Sequence, residues 1–158
     1  MTRNVPPVPK GFHTVTPYLI FKDAAPALDW YARAFGATEL FRKTDDDGKI
    51  RHAEFRLGDA VIMLSDEYPE RKVLSPQTLG GTPVATHLYV DDVDGFCARA
   101  VAAGATLARP VADQFYGDRS GQLEDPFGHR WFVATRVEDV SVAEMQRRYD
   151  AMMKGDKR

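Results

Sequence analysis

His52 and Glu54 carry groups that transfer protons or bind metals, and they lie two residues apart in a stretch typical of a β-strand, residues 50–57. Because successive side chains of a strand point to opposite faces, these two share one face. A carboxylate beside an imidazole suits general acid–base catalysis, and both groups are ligands of zinc and similar ions. The apolar residues that alternate with them, and that we expect to face a helix layer, are Ala53, Phe55 and Leu57.

His87 is a second candidate of the same kind, in a predicted strand at residues 86–90. Its parity places it on one face with Tyr89, and we expect it to point into the same groove as Glu54. Glu54 and His87 are therefore the candidate catalytic residues. The alternative is a polar ladder on a half-solvated sheet, in which opposite charges pair for a few tenths to about 1 kcal/mol. The members of that ladder would be His52, Glu54 and Arg56.

Aromatic side chains and one charged loop are the other candidates for binding. Residues 113–119 are predicted to be a loop that combines acidic, aromatic and basic groups. Arg119 can clamp an anionic group with two hydrogen bonds, or it can form a salt bridge that pins the loop to the sheet. The aromatic residues can line a pocket for a flat molecule, or they can belong to the core. They are Tyr18, Phe115, Tyr116 and Phe132.

The first half of the chain has the pattern of a β-α-β-β-β unit. Apolar residues recur at helical spacing within residues 23–35, where Asp23 is the predicted N-cap and Gly36 suits the left-handed residue that ends a helix. β-Branched and aromatic runs separated by turn residues predict the strands. These strands are expected at residues 14–21, 38–43, 50–57 and 60–65.

The pattern restarts after a predicted connecting loop at residues 66–83. Gly36-Ala37-Thr38 and Gly104-Ala105-Thr106 are the same tripeptide after the same kind of helix, which indicates a tandem duplication. The second unit is predicted to contain a helix at residues 92–103 and strands at residues 86–90, 106–108, 122–123 and 130–135.

The predicted fold class is α+β, with two βαβββ modules that form a curved eight-stranded mixed sheet with a concave cavity. Residues 1–12, rich in proline, are expected to be an extended N-terminal arm. Residues 13–138 form the domain, made of modules at residues 13–66 and 84–138. Residues 139–158 are predicted to be a C-terminal helix and tail, with a capping-box pattern at its start.

Composition excludes several classes of partner. The chain has 158 residues, of which 44% are hydrophobic, as expected for one folded domain. A net charge of −2 argues against nucleic acid as a partner. The single cysteine, Cys97, excludes an internal disulfide framework and fits a cytoplasmic location. No apolar run approaches the roughly 20 residues that span a bilayer, so no membrane partner is expected.

The sequence resembles the vicinal oxygen chelate superfamily, which includes glyoxalase I, bleomycin-resistance proteins and extradiol dioxygenases, and within it the PhnB-like branch. The resemblance extends over residues 14–140 and rests on three stretches together with the paired modules. These stretches are ALDWYARAFGAT, LGDAVIMLSDE and DQFYGDRSGQLEDPFGHRWFVATRVEDVS.

The resemblance implies four ligand positions for a metal, one on the first and one on the last strand of each module. Strand register assigns these positions to Thr16, Met63, Ala85 and Phe132. Thioether and hydroxyl groups are poor ligands for a divalent cation, and Ala and Phe offer no ligating atom. We therefore predict no metal ligands and no cofactor, although a divalent metal stays an alternative.

The function expected from the resemblance is that of a metal-free homodimer that sequesters or senses a small aromatic or amphipathic molecule. The alternative is an enzyme, a metal-dependent lyase of the glyoxalase I type or an extradiol-type dioxygenase, with a rearranged ligand set that involves His52, Glu54 or His87. The candidate ligand-binding residues are Tyr18, His52, Glu54, Met63, His87, Tyr116, Arg119 and Phe132.

Overall fold

Two four-stranded sheets, each with its own helix, make up most of the computed structural model, which describes residues 5–155. The chain divides into two units. Unit 1 contains the chain up to Pro83 together with Phe127–His129, and unit 2 contains Val84–Pro126 and the chain from Arg130 onward.

Unit 1 contains a β-α-β-β-β module, as the sequence predicts. Its sheet has the order β1-β4-β3-β2, in which β1 runs parallel to β4 and the other pairs are antiparallel. The elements are β1 (Tyr18–Phe21), α1 (Ala24–Phe35), β2 (Thr38–Thr44), β3 (Ile50–Leu57) and β4 (Ala60–Asp66).

Unit 2 repeats this arrangement with the order β5-β8-β7-β6, and β5 runs parallel to β8. The predicted α+β class, the duplicated module and the C-terminal helix are confirmed. The elements of unit 2 are β5 (Ala85–Tyr89), α3 (Val93–Ala102), β6 (Thr106–Asp113), β7 (Asp118–Glu124), β8 (Arg130–Arg136) and α4 (Val142–Gly155).

Several element bounds differ from the prediction. The connection at residues 66–83 contains a 3-10 helix (Pro69–Arg71) and a short helix, α2 (Pro76–Leu79), rather than loop alone. The strands predicted at residues 106–108 and 122–123 are much longer. Pro110 is tolerated within β6 because β6 is an edge strand and its register with β7 shifts between Arg109 and Ala112, around this residue.

The core of unit 1 is an aromatic cluster between α1 and one face of its sheet. Tyr31 of α1 is fully buried and stacks on Phe55 of β3 with 5.0 Å between ring centroids. Phe21 lies at 5.4 Å from Phe127, which returns to this unit from late in the chain. The prediction that Ala53, Phe55 and Leu57 face the helix is confirmed by their burial. The opposite face of β3 is therefore left to its polar residues.

The N-terminus of α1 is capped from a distance and not by Asp23, which was the predicted cap. Asp23 has extended backbone, but its side chain makes no cap hydrogen bond. Instead, Oδ1 of Asp66, at the end of β4, accepts the N–H of Ala24 at 2.8 Å. Oδ2 of Asp66 accepts the N–H of Ile50 at 2.6 Å. One buried carboxylate thus satisfies donors at the start of both α1 and β3.

Helix α4 is held by ion pairs at its first turns, and none of its residues is buried. Arg148 donates to Glu138 at 2.7 Å and to Glu144 at 2.7 Å. It also donates to the carbonyl of Phe115 at 3.3 Å, while the ring of Tyr149 lies 5.6 Å from the ring of Phe115.

We expect the attachment of α4 to weaken on acidification. Hydrogen bonds from Arg147 and Arg148 lower the pKa of Glu144 to about 2, and Arg148 also lowers the pKa of Glu138. A carboxyl whose pKa is lower in the folded state stabilises that state above its unfolded pKa of about 4.3, and this contribution is lost as the pH falls toward the folded value. Amide hydrogen exchange of α4 should therefore speed up, relative to the rest of the chain, between about pH 4.5 and pH 2.

The matched variant is Arg148→Met, which removes the cation and keeps most of the apolar stem. In this variant α4 should already be poorly protected at neutral pH and should lose most of the extra pH dependence. Full protection of α4 at pH 3 in the unmodified chain would contradict the ion-pair interpretation.

Candidate functional site

A chain of hydrogen-bonded side chains crosses the face of the unit 1 sheet that points away from α1. The hydroxyl of Tyr18 lies 3.0 Å from Nδ1 of His52. Nε2 of the same imidazole lies 3.1 Å from Oε1 of Glu54. We call this the Tyr18–His52–Glu54 chain. It joins β1 to β3 across β4, the strand that lies between them in the sheet.

Two apolar side chains, those of Met63 and Phe41, lie beside this chain. Met63 of β4 is the register partner of both Tyr18 and Glu54, so its side chain shares their face. The ring of Phe41 lies 6.2 Å from His52. The His52 and Glu54 side chains are 27% and 21% exposed, which leaves both half-buried but accessible. Tyr18 is 46% exposed, so its hydroxyl end can meet a second molecule.

In unit 2, His87 and Phe132 hold the positions that Tyr18 and Met63 hold in unit 1. They are register partners on β5 and β8, with 6.3 Å between their ring centroids. Tyr89 lies 4.7 Å from His87, and its hydroxyl donates to Oδ2 of Asp118 at 3.0 Å. That hydrogen bond, together with burial, raises the pKa of Tyr89. The rings of His87, Tyr89 and Phe132 therefore lie side by side on one face of the unit 2 sheet. The raised pKa means that the phenol of Tyr89 stays protonated at neutral pH.

Three of the cavities in unit 2 measure about 700, 460 and 280 Å³. The first is lined by Tyr89, Val90, Asp91, Thr135 and Arg136. It was not predicted from the sequence, although Tyr89 shares the parity of His87. The third, about 280 Å³, includes the predicted residue Phe132 among its lining. Its other lining residues are Ala108, Gln122, Leu123, Glu124, Arg130 and Trp131.

Arg119 lies on β7 rather than in a loop, and its guanidinium is held by two carboxylates. Nε and a terminal nitrogen donate to Asp94 at 2.6 and 2.8 Å, and the other terminal nitrogen donates to Asp113 at 3.0 Å. The hydrogen bonds from Arg119 lower the pKa of Asp94. This is the salt bridge that the sequence left open as the alternative to an anion clamp, and it ties α3 to β7. Tyr116 lies in the turn before β7, with its ring 5.1 Å from Phe115.

The structure places Thr16 outside the first strand and pairs other residues with Met63 and Phe132. Thr16 precedes β1, which begins at Tyr18 after Pro17, and its hydroxyl donates to the carbonyl of His13 at 3.2 Å. The residue beside Met63 is therefore Tyr18. In unit 2 the partner of Ala85 is Arg130, and the residue beside Phe132 is His87. Thr16 and Ala85 lie two residues before Tyr18 and His87, a spacing that keeps the same parity along a strand.

Neither of these pairs suits a divalent cation. Tyr18 with Met63 offers a phenol and a thioether, and His87 with Phe132 offers one imidazole and a phenyl ring. Across residues 5–155, no group of three or more His, Cys, Asp or Glu side chains is arranged to hold a metal ion.

Cys97 is buried on α3, and this burial raises the pKa of its thiol to about 11. A thiol in this state is a poor nucleophile, since the thiolate is the reactive form. Within the described part of the chain, no helix has the length and apolar character needed to cross a membrane.

Comparison with known proteins identifies relatives over most of the chain. The family model of the Glyoxalase/Bleomycin resistance protein/Dioxygenase superfamily matches residues 11–133. An uncharacterized protein of Mycobacterium bovis is 44% identical over 135 residues, which are 84% of this chain and 89% of that protein.

Solved structures share the fold. TioX from Micromonospora sp. ML1 is 28% identical, with a TM-score of 0.62, over 79% of this chain and 99% of TioX. A PhnB protein from Bacillus cereus is 18% identical, with a TM-score of 0.61, over 78% of this chain and 99% of that protein. The second likeness is one of fold alone.

Proposed function

Because the chain belongs to the Glyoxalase/Bleomycin resistance protein/Dioxygenase superfamily, we propose that it binds a small aromatic or amphipathic molecule, without a metal, as a homodimer. The superfamily predicted from the sequence is confirmed by the family model. The observation that carries the proposal is the set of residues at the first and last strands of each module. Tyr18 with Met63 and His87 with Phe132 offer contact surface for a ligand rather than metal coordination.

The ligand class follows from the groups around these pairs. Phe41, Met63 and the ring of Tyr18 supply apolar surface in unit 1, and the Tyr18–His52–Glu54 chain supplies a small number of polar atoms. Apolar walls with a few oriented polar groups are typical of sites for small organic molecules. In unit 2 the rings of His87, Tyr89 and Phe132 support the same class of ligand.

The homodimer is proposed from the surface of α4. Val142, Tyr149, Met152 and Met153 are 82%, 42%, 48% and 41% exposed, so the apolar side of this amphipathic helix faces solvent in the single chain. Exposed apolar patches of this kind mark interaction surfaces, and two-fold homodimers are the commonest oligomers. A second copy of this chain would cover the patch. We also infer a cytoplasmic location, because the one cysteine is a free thiol.

The enzymatic alternative is a metal-dependent lyase or dioxygenase that uses His52, Glu54 or His87. One observation favours it, the 3.1 Å contact between His52 and Glu54, which brings an imidazole and a carboxylate together. Against it, Nε2 and Nδ1 of His52 already meet Glu54 and Tyr18.

Metal analysis of protein purified without an affinity tag, followed by calorimetric titration with zinc, nickel and iron(II), separates the two candidates. We expect substoichiometric metal content and no tight site. A tight stoichiometric site that is lost in Glu54→Ala or His87→Ala would overturn the metal-free proposal. The matched control is Glu39→Ala, which removes a carboxylate that pairs with Arg42 on β2.

Light scattering coupled to size exclusion tests the dimer. The unmodified chain should elute as a dimer, and Met152→Glu should shift it to monomer because a charge would be buried at the contact. A monomeric unmodified chain at micromolar concentration would exclude the homodimer.

A further inference from the structure

The Tyr18–His52–Glu54 chain has a fixed direction, set by its carboxylate end. A carboxylate only accepts hydrogen bonds, so the hydrogen of the 3.1 Å contact lies on Nε2 of His52. The neighbouring cations on this face are Lys43, the register partner of His52, and Arg56, which follows Glu54 at the same parity. Both cations only donate, and neither can replace Glu54 as the acceptor of that hydrogen.

The tautomer then decides what Tyr18 does. A neutral imidazole has one donor and one acceptor nitrogen, so Nδ1 is the acceptor when Nε2 carries the hydrogen. The hydroxyl of Tyr18, 3.0 Å from Nδ1, must be the donor of this contact. A phenol has a single hydrogen, and in Tyr18 it is committed to His52.

We propose that Tyr18 meets the ligand as a hydrogen-bond acceptor, and that the unit 1 site therefore selects aromatic molecules with a hydrogen-bond donor. This inference rests on the proposed small-molecule binding and names its ligand class. Donor groups of this class are the N–H of an indole or aniline and the O–H of a phenol. A ligand that brings only an acceptor places two lone pairs against each other and leaves both unsatisfied.

Glu54 is a positioning residue in this scheme, because it acts on the ligand through His52 and Tyr18. Its role is to hold the tautomer. The half-buried position of His52, beside the rings of Tyr18 and Phe41, keeps the imidazole in place between its two partners.

Indole and benzofuran are the probes that test this selection, because they have nearly the same shape and differ by an N–H in place of an ether oxygen. Titrations of the full chain are followed by ¹H–¹⁵N chemical shifts, and long-range ¹H–¹⁵N spectra at pH 7.5 report the tautomer of His52. We expect the Nε2–H tautomer and about tenfold tighter binding of indole, the ratio that one well-formed hydrogen bond supplies.

Three variants test whether the preference for indole over benzofuran depends on the Tyr18–His52–Glu54 chain. Tyr18→Phe should bind indole and benzofuran equally and should keep the affinity for benzofuran. Glu54→Met should leave His52 as a mixture of its two neutral tautomers, which its ¹⁵N shifts report. The preference for indole should fall in parallel. The control is Tyr68→Phe, in the connection that follows β4, which loses a hydroxyl bonded to Asp45 and should keep the preference.

The outcomes separate this inference from the proposed function. An Nδ1–H tautomer, equal affinities in the unmodified chain, or a preference that survives Tyr18→Phe overturns the inference alone, because binding is still observed. Binding of neither probe overturns the ligand selection together with the proposed ligand class.

Discussion

Replacing Asp66 by alanine is expected to lower the free energy of unfolding by about 3 kcal/mol, because two hydrogen bonds to one buried carboxylate are lost at once. The N–H groups of Ala24 and Ile50, which now donate at 2.8 and 2.6 Å, would be left without this acceptor. Hydrogen bonds to charged groups are each worth roughly 1.5–3 kcal/mol when buried. Urea denaturation followed by tryptophan fluorescence measures the change.

Asp23→Ala is the control for this prediction, since Asp23 precedes α1 directly but its side chain makes no cap hydrogen bond. Its effect should stay within about 0.5 kcal/mol. Equal effects of the two substitutions would mean that Asp66 does not cap the helix. Asp66→Asn should fall between them, because the amide can keep one of the two acceptor contacts.

Phe55→Ala is the second large effect, expected to lower the free energy of unfolding by about 3–5 kcal/mol. Phe55 is 1% exposed and stacks on Tyr31 at 5.0 Å, so its removal leaves a cavity in the aromatic cluster between α1 and the sheet. The substitution loses the free energy of transferring the ring from water to the core, and the remaining cavity loses the packing contacts that the ring made.

Phe41→Ala makes the same chemical change on the neighbouring strand, where the ring is 49% exposed. We expect a loss of about 0.5 kcal/mol or less, because little burial is removed. A loss for Phe55→Ala as small as that for Phe41→Ala would show that the cluster does not carry the stability of unit 1.

The sequence was sufficient for those parts of the fold whose signals are local. The apolar spacing of α1, the alternation in β3 and the repeated tripeptide depend on residues close together in the chain, and the predicted helices and strand faces followed from them. The length of β6 was missed because Pro110 reads as a strand breaker unless it is known to lie at a sheet edge. The cap of α1 was missed because Asp66 lies 42 residues from Ala24.

In the candidate site, too, only the features that depend on residues close together in the chain were predicted. Parity alone placed His52 and Glu54 on one face, away from the helix. The bond between Tyr18 and His52 was out of reach, because it requires knowing that β4 separates β1 from β3 in the sheet. Thr16 was assigned to the first strand because the β-branched run around it looks continuous, whereas β1 starts only after Pro17.

The return of Phe127–His129 to unit 1 limits how the chain can be cut. The ring of Phe127 lies 5.4 Å from Phe21 and 6.1 Å from Trp30, and Nε2 of His129 lies 2.9 Å from the carbonyl of Ile20. A fragment that ends at residue 83 would lack these groups and expose part of its aromatic cluster to water. The two halves are therefore not exchangeable parts in the sense of protein engineering, and a graft of the first module onto another protein must carry the late turn with it.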